Sequence, residues 1–172
     1  MKKLAIYSSA TELWGTPPRL FQALDRIYEF CLDAAANDQN ALCDWYFTRE
    51  KNALEQDWSS YGRVWLNPPY GREIVHWMKK AYLESKNGAL VVCLVPARTD
   101  TRWWHDWVAG KARVTFLRGR LKFVDQFDDQ SGTAPFPSAI VIYDPILDEV
   151  LNSDPGWRSL ERKSFVPVLR FG

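Results

Sequence analysis

Four consecutive residues, Asn67-Pro68-Pro69-Tyr70, have the side chains and the stiff backbone needed to hold an amino group. The two prolines fix their backbone angles and lack N–H donors, so the carbonyl oxygens around them point in fixed directions. The side chain of Asn67 adds another carbonyl acceptor, and the ring of Tyr70 offers a face on which a planar ring can stack. Together these groups can accept both hydrogens of one exocyclic amine.

An amine attached to an aromatic ring is a poor nucleophile because its lone pair is delocalised. Acceptors for both of its hydrogens favour a pyramidal nitrogen and direct the lone pair at an electrophile, which is catalysis by positioning and electrostatics. No cysteine or histidine adjoins the four residues, so a direct transfer is expected rather than a covalent intermediate. The alternative interpretation of the segment is a rigid loop after a strand.

The flanking sequence supplies the elements that would hold this segment in place. Residues 64–66 are apolar and predict a short strand that ends at Asn67. After the segment, apolar residues recur at helical spacing from Ile74 to Tyr82 and predict an amphipathic helix that ends near Gly88. A loop at the carboxyl end of a strand is where α/β sheets bind their ligands.

Strands and helices alternate up to about residue 110, which predicts parallel βαβ units. Further apolar stretches that predict strands are residues 30–35, 44–48, 89–95 and 139–143. Beyond residue 110 the predicted strands follow one another, and residues 114–117 and 121–124 flank Arg118-Gly119-Arg120 as a candidate hairpin. The expected fold class is α/β, with a mostly parallel sheet and an antiparallel hairpin on its C-terminal side.

Composition is that of a soluble globular protein, since 47% of the 172 residues are hydrophobic and 25% are charged. The three cysteines are widely spaced and form no cluster with histidine, so we expect neither a disulfide framework nor a metal site. No apolar run approaches the roughly 20 residues that cross a bilayer, and residues 1–9 lack the apolar region of a signal peptide. The expected location is therefore cytoplasmic, with no membrane partner.

Charge is distributed unevenly, although the net charge is only +1. Residues 29–61 carry seven acids against two bases, whereas residues 98–122 carry seven bases against two acids. One interpretation is two solvated faces. The other is that different parts of one domain bind two ligands of opposite charge preference.

Several ordered motifs resemble the small phage-type (Dam-like) DNA N6-adenine methyltransferases along nearly the whole chain from Trp14 to about Tyr143. The motifs are Trp14-Gly15-Thr16-Pro17, Leu32-Asp33-Ala34-Ala35, Leu54-Glu55-Gln56-Asp57-Trp58, Asn67-Pro68-Pro69-Tyr70-Gly71, Pro96-Ala97-Arg98-Thr99-Asp100-Thr101, Gly119-Arg120-Leu121-Lys122-Phe123 and Phe136-Pro137-Ser138. The resemblance implies a Rossmann-like, S-adenosylmethionine-dependent methyltransferase fold. Because the sequence shows no internal repeat or linker, we expect a single domain over residues 1–172, a length that leaves little room for a separate target-recognition domain.

The resemblance implies a role for each group of motif residues. The catalytic loop would be Asn67, Pro68, Pro69 and Tyr70. The residues expected to bind S-adenosylmethionine are Trp14, Thr16, Pro17, Asp33, Ala34, Ala35, Glu50 and Asp57. Turn formation is the alternative role for Asp33 and Asp57. One departure from the methyltransferase pattern is Ala34-Ala35-Ala36-Asn37, which stands where glycines usually let the backbone approach the ligand.

Double-stranded DNA is the implied partner. The N6 atom of a paired adenine is inaccessible, so the base must be flipped out while phosphate contacts hold the distorted duplex. The residues expected to bind DNA are Arg98, Arg102, Arg118, Arg120, Lys122 and Phe136. Phe136 would form a wall of the target-base pocket, or else part of a turn.

Two rival functions remain open at this point. The first is a Rossmann methyltransferase that acts on glutamine side chains of proteins, because an amide nitrogen poses the same chemical problem. The second is a relative that binds DNA without catalysis. The sequence leaves the DNA site, the oligomeric state and the biological role undetermined, whether genome protection, restriction–modification or regulation.

Overall fold

The computed structural model describes residues 14–123 and 132–146. The strands, in chain order, are β1 (Leu32–Asp33), β2 (Trp45–Tyr46), β3 (Arg63–Leu66), β4 (Leu90–Pro96), β5 (Arg113–Phe116), β6 (Lys122–Phe123), β7 (Gly132–Thr133) and β8 (Ser138–Tyr143). The helices are α1 (Pro18–Tyr28), α2 (Ile74–Lys86), α3 (Arg102–Trp107) and two short 3-10 helices, Ala53–Glu55 and Ser59–Tyr61.

Six strands form one sheet in the order β2-β1-β3-β4-β8-β5. The pairs β1–β2, β1–β3 and β3–β4 are parallel, whereas β8 is antiparallel to both β4 and β5. Strand β5 therefore runs in the same direction as β4. The carboxyl ends of β1, β3, β4 and β5 lie at one edge of the sheet, here called the carboxyl edge. This mixed sheet confirms the predicted α/β class.

The order of the strands creates a crevice at the carboxyl edge beside β1. From β1 the chain moves to β2 on one side and then to β3 on the other side. In open α/β sheets, connections that depart in opposite directions leave a gap at the strand ends, and ligands bind there. Asp33 ends β1 and Asn67 directly follows β3, so both residues lie at this gap.

The core forms from the periodic apolar positions that the sequence shows. Helix α1 begins at Pro18, where a missing N–H does no harm, and buries Leu20, Phe21 and Leu24. Helix α2 buries Ile74, Met78 and Ala81, as its predicted spacing requires. Strands β4 and β8 are buried along almost their whole length. Burial on both faces explains their continuous apolar sequences.

The predicted hairpin around Gly119 does not form. Strand β5 pairs with β8 in the main sheet, and β6 pairs with β7 in a separate two-stranded sheet. The turn at Gly119, whose φ is 81°, therefore leads from one sheet to the other. The fully buried β8 takes β4 and β5 as neighbours on its two sides, and this distant pairing prevails over pairing between strands adjacent in sequence.

Two of the predicted strands are shorter in the structure. Residues 30–35 contribute only β1 and residues 44–48 only β2, each of two residues. Within residues 14–123 and 132–146, no helix has the length and apolar character that a membrane span requires. The expectation that residues 1–9 form no signal peptide concerns residues outside the described part of the chain.

Candidate active site

A cavity of about 640 Å³ opens at the carboxyl edge between the ends of β1, β2 and β3. Its size is typical of sites for small organic ligands. Asp33, Glu50 and Asn67 bring polar groups to the wall, and the aromatic rings of Trp14 and Phe47 contribute apolar surface. Because one base, Arg49, stands against the two acids, the first cavity combines apolar walls with a net negative charge, which suits a cationic ligand that carries an aromatic ring.

Asp33 is a buried acid whose side chain also organises the loop after β1. One carboxylate oxygen accepts a hydrogen bond from the N–H of Ala35 at 3.3 Å, and the other accepts one from the N–H of Leu42 at 3.2 Å. Burial raises the pKa of Asp33 to about 6, and these two hydrogen bonds oppose the shift. The turn-forming role considered for Asp33 is thus present, and the residue also lines the first cavity.

Asn67 has its side-chain amide fixed in one orientation by neighbours on both sides. Its Nδ2 donates to the backbone oxygen of Trp14 and to Oγ1 of Thr16 at 3.0 Å. Its Oδ1 accepts a hydrogen bond from the hydroxyl of Tyr70 at 2.7 Å. That hydroxyl also lies 3.1 Å from the backbone oxygen of Leu94. These contacts among Trp14, Thr16, Asn67 and Tyr70 are called the Asn67 network below.

A second cavity of about 480 Å³ lies on the other side of the same loop. Tyr70, Phe136 and Trp103 contribute rings to its wall, and Arg72 and Arg98 contribute positive charge. The ring of Phe136 meets that of Tyr70 edge to face, with centroids 5.5 Å apart. Aromatic walls with a basic rim suit a planar ring attached to a phosphate backbone.

The four-residue loop stands between the two cavities. Asn67, Pro68 and Pro69 line the first cavity, whereas Tyr70 lines the second. Trp14 lines both. Two ligands, one bound in each cavity, would therefore meet at this loop. A direct transfer between two bound molecules needs this arrangement.

The structure brings most of the predicted cofactor-binding residues to the first cavity. Those that line it are Trp14, Thr16, Asp33, Ala35 and Glu50. Ala34 is fully buried, and Pro17 precedes α1 without lining the cavity. Asp57 does not line it either, because its carboxylate accepts hydrogen bonds from the N–H and the hydroxyl of Ser59 in a local turn.

Glu50 is exposed at the mouth of the first cavity, in the loop after β2. Hydrogen bonds from its own backbone N–H and from the Thr48 hydroxyl lower the pKa of its carboxyl. The loop thereby keeps a carboxylate at the cavity rim. Ala35 and Ala36, which stand where glycines are usual, both form part of the cavity wall.

The basic residues predicted to bind DNA are mostly exposed and lie near the carboxyl edge. Arg98 follows β4, lines the second cavity and places its guanidinium 5.9 Å from the ring centre of Phe136. Arg118 and Arg120 are exposed in the turn that follows β5, and Lys122 is exposed in β6. Arg102 is exposed as well, but pairs with Asp106 at 3.2 Å.

Sequence reasoning missed two residues of the second cavity, Arg72 and Trp103. Arg72 lies two positions after Tyr70, so its place beside the loop was a signal that charge counting overlooked. Trp103 is buried among the core residues, but one part of it faces the cavity. Within the described part of the chain, no group of three or more His, Cys, Asp or Glu side chains is placed to hold a metal ion.

Comparison with known proteins gives a consistent result. A family model described as DNA N-6-adenine-methyltransferase (Dam) matches residues 5–162. The chain is 32% identical over 111 residues to the DNA N-6-adenine-methyltransferase of Escherichia phage T1, a match that covers 64% of this chain and 46% of that protein. The chain thus spans about half the length of that relative. It is also 38% identical over 63 residues to YfdM of Escherichia coli (strain K12), whose name marks it as a proposed methyltransferase, covering 33% of this chain and 69% of YfdM.

Proposed function

We propose, since the chain belongs to the DNA N-6-adenine-methyltransferase (Dam) family, that it methylates N6 of an adenine flipped out of double-stranded DNA. The observation that carries the proposal is the loop Asn67-Pro68-Pro69-Tyr70 between two cavities of different character. The first cavity is acidic and apolar, and the second is aromatic with a basic rim. A cationic donor and a base attached to a polyanion require these two environments.

The first cavity fits S-adenosylmethionine by its chemistry. Asp33 supplies a buried carboxylate for the charged methionine end, and Glu50 supplies acceptors for ribose hydroxyls. The rings of Trp14 and Phe47 offer apolar surface to the adenine of the donor. When bound, S-adenosylmethionine would supply a methyl group to the target nitrogen: the sulfur–methyl bond would break as the nitrogen–methyl bond forms, the sulfur would become a neutral thioether, and the extra proton on nitrogen would pass to solvent water.

The second cavity is the proposed pocket for the flipped adenine. Tyr70 and Phe136 give it walls against which a base can pack, and the stacking of a base on an aromatic ring contributes roughly 1–3 kcal/mol. The loop then holds the exocyclic amine through acceptors, Asn67 Oδ1 and the backbone oxygen of Pro68. Both amine hydrogens are bound there, so the nitrogen lone pair is free to face the first cavity.

The finer aspects of the fold and the setting are part of the same proposal. A sheet with parallel strands around β1 and an antiparallel β8 supports a Rossmann-like methyltransferase fold. We also propose that residues 1–172 form one domain and that the protein acts in the cytoplasm, which for a phage enzyme is the cytoplasm of the host. Sequence readout would then fall to loops at the carboxyl edge, where Arg98 and Arg118 lie.

A radiolabelled transfer assay tests the function. The protein is incubated with S-adenosylmethionine that carries a tritiated methyl group and with one of three acceptors: duplex DNA, the same duplex with 2-aminopurine at every adenine position, or a glutamine-containing protein. We expect label in N6-methyladenine of the first DNA only. Label in the protein would support a glutamine methyltransferase. DNA binding without any transfer would support a non-catalytic relative, and either result would contradict the proposal.

The basic residues of the carboxyl edge should contribute to DNA affinity through phosphates. We expect Arg98→Ala, Arg118→Ala and Arg120→Ala each to weaken DNA binding and to lower the slope of log affinity against log salt by about one unit. The affinity for S-adenosylmethionine should stay unchanged. Binding isotherms at several salt concentrations, on cognate and scrambled duplexes, measure both effects.

Arg63→Ala is the matched control for this series. Arg63 is also exposed, but it begins β3 at the opposite edge of the sheet and pairs with Glu29 at 3.0 Å. The variant Arg63→Ala removes the same charge far from the proposed DNA surface, so the salt slope of its DNA binding should equal that of the wild type. If all four variants kept the wild-type salt slope, the basic residues would form only a solvated face. An arginine that relaxes sequence preference at constant slope would contact a base instead.

A further inference from the structure

Asn67 has little hydrogen-bonding capacity left once its network is complete. A side-chain amide offers two N–H donors and two oxygen lone pairs. Both donors are used, by the backbone oxygen of Trp14 and by Oγ1 of Thr16. One lone pair of Oδ1 is used by the Tyr70 hydroxyl. The side chain can therefore bind one further group, and that group must be a hydrogen-bond donor.

The network also prevents the amide from turning over. If the amide were rotated by half a turn, its oxygen would face the carbonyl oxygen of Trp14, and two acceptors would oppose each other. The Tyr70 hydroxyl would then lose its acceptor at 2.7 Å and would keep only the backbone oxygen of Leu94, at 3.1 Å. Tyr70 is 3% exposed and packs edge to face against Phe136 at 5.5 Å. The hydroxyl is therefore held in place by the packing of its ring.

We propose, resting on the proposed function, that the hydroxyls of Thr16 and Tyr70 are positioning groups that keep the Asn67 oxygen available to the target amine. Neither hydroxyl needs to touch the substrate for this role. Thr16 orients the nitrogen end of the amide, and Tyr70 orients the oxygen end. The segment before α1, which lines the first cavity, is thereby joined to the catalytic loop.

The chemistry of Tyr70 fits this role. Burial raises the pKa of its hydroxyl well above the usual value, so the group stays protonated and remains a donor at any ordinary pH. Its single proton can go to Asn67 Oδ1 or to the backbone oxygen of Leu94, at 2.7 and 3.1 Å. A transfer reaction benefits from such fixed geometry, because a displacement of about 1 Å can reduce the rate by around 100-fold.

The test removes each hydroxyl while keeping the shape of the side chain. The variants are Tyr70→Phe, Thr16→Val and, as a rescue of the second, Thr16→Ser. Tyr143→Phe is the matched control, because Tyr143 is also buried and its hydroxyl also donates to a backbone oxygen, that of Trp107 at 2.7 Å. It lies in β8 and has no part in the Asn67 network.

We expect Tyr70→Phe and Thr16→Val to lower kcat by about 10- to 100-fold while KM for DNA and the Kd of the donor change less than about twofold. Thr16→Ser, which keeps a hydroxyl, should recover most of the kcat that Thr16→Val loses, and Tyr143→Phe should keep the wild-type kcat. A wild-type kcat in Tyr70→Phe would overturn its role. A Thr16→Val defect confined to donor affinity, or a Thr16→Ser as slow as Thr16→Val, would overturn the role of Thr16.

A second measurement does not depend on activity. Asparagine is labelled with 15N, and the side-chain signals of Asn67 are identified by their absence in Asn67→Ala. Exchange of the two amide hydrogens with solvent should be slow in the wild type and at least about tenfold faster in Thr16→Val. If the wild type transfers no methyl group, the proposed function fails, and slow exchange that Thr16→Val does not change would overturn the network by itself.

Discussion

Replacing Asn67 by alanine should lower the rate of methyl transfer by about 100- to 1000-fold, because a preorganised partner of the reacting group is lost. The affinities for DNA and for the donor should change far less, since the two cavities keep nearly all of their walls. The measurement is single-turnover transfer at saturating DNA and donor, together with separate binding isotherms. A variant that keeps more than about a tenth of the wild-type rate would contradict the assigned role.

The variant Asn67→Asp refines this prediction. A carboxylate is the stronger acceptor, so chemistry at the amine alone predicts that activity survives. In the structure, however, one carboxylate oxygen would take the place of Nδ2 and face the backbone oxygen of Trp14. We therefore expect Asn67→Asp to be nearly as slow as Asn67→Ala. High activity in Asn67→Asp would mean that the orientation of this side chain does not limit the rate.

Replacing Asp33 by asparagine should weaken the binding of S-adenosylmethionine by about 10- to 100-fold at pH 7.5, as the loss of a hydrogen bond to a charged group predicts. DNA affinity should not change. The amide is similar in shape to the carboxyl, and its oxygen can still accept one of the two hydrogen bonds that the N–H groups of Ala35 and Leu42 donate to Asp33, so the loop is disturbed as little as possible. Calorimetric titration with the donor measures the effect.

The same residue predicts how donor binding depends on pH. The pKa of Asp33 in the free protein is about 6, so the carboxylate that attracts a cation is present above pH 7 and is lost as the pH falls through 6. The Kd of the donor should be flat above pH 7 and rise by up to about tenfold per pH unit below 6. In Asp33→Asn this rise should be absent.

Asp44→Asn is the control for Asp33. Asp44 belongs to the same acidic stretch, but it is exposed and does not line the first cavity. Its replacement should leave both the Kd and its pH dependence unchanged. If Asp44→Asn and Asp33→Asn weakened donor binding equally, only the overall charge of the acidic stretch would matter. If Asp57→Asn had the larger effect, the donor would lie in a different place.

Local features of the structure followed from the sequence. The helix from Ile74 was predicted because its apolar residues recur at helical spacing and form one face. This pattern indicates a helix whichever element packs against that face. The strand before Asn67 and the rigid loop after it were predicted because proline restricts its own and its neighbour's backbone. Asp33 and Asn67 were both expected at strand ends, and these strands proved to be neighbours in the sheet.

Strand pairing in the C-terminal half could not be predicted from neighbouring sequence. Strands β5 and β6 are separated by a short turn with Gly119, which favoured a hairpin, but each pairs with a strand that comes later in the chain. The choice depends on β8, a buried strand whose backbone N–H and C=O groups need a hydrogen-bonded neighbour on each side, and β4 and β5 are those neighbours. The free energy gained by this pairing belongs to the assembled sheet, so the residues around Gly119 give no indication of it.

The chemistry of the loop was determined by the sequence, whereas its geometry was decided by the tertiary structure. The residue types of Asn67 and Tyr70 indicated an acceptor and a ring face. The orientation of the acceptor depends on Trp14 and Thr16, which lie 53 and 51 residues earlier, and the Tyr70 hydroxyl acquires its partner only in the fold. Side-chain chemistry and backbone stiffness act over a few residues and can be recognised in a sequence. Hydrogen bonds between distant segments exist only once packing has brought their donors and acceptors together.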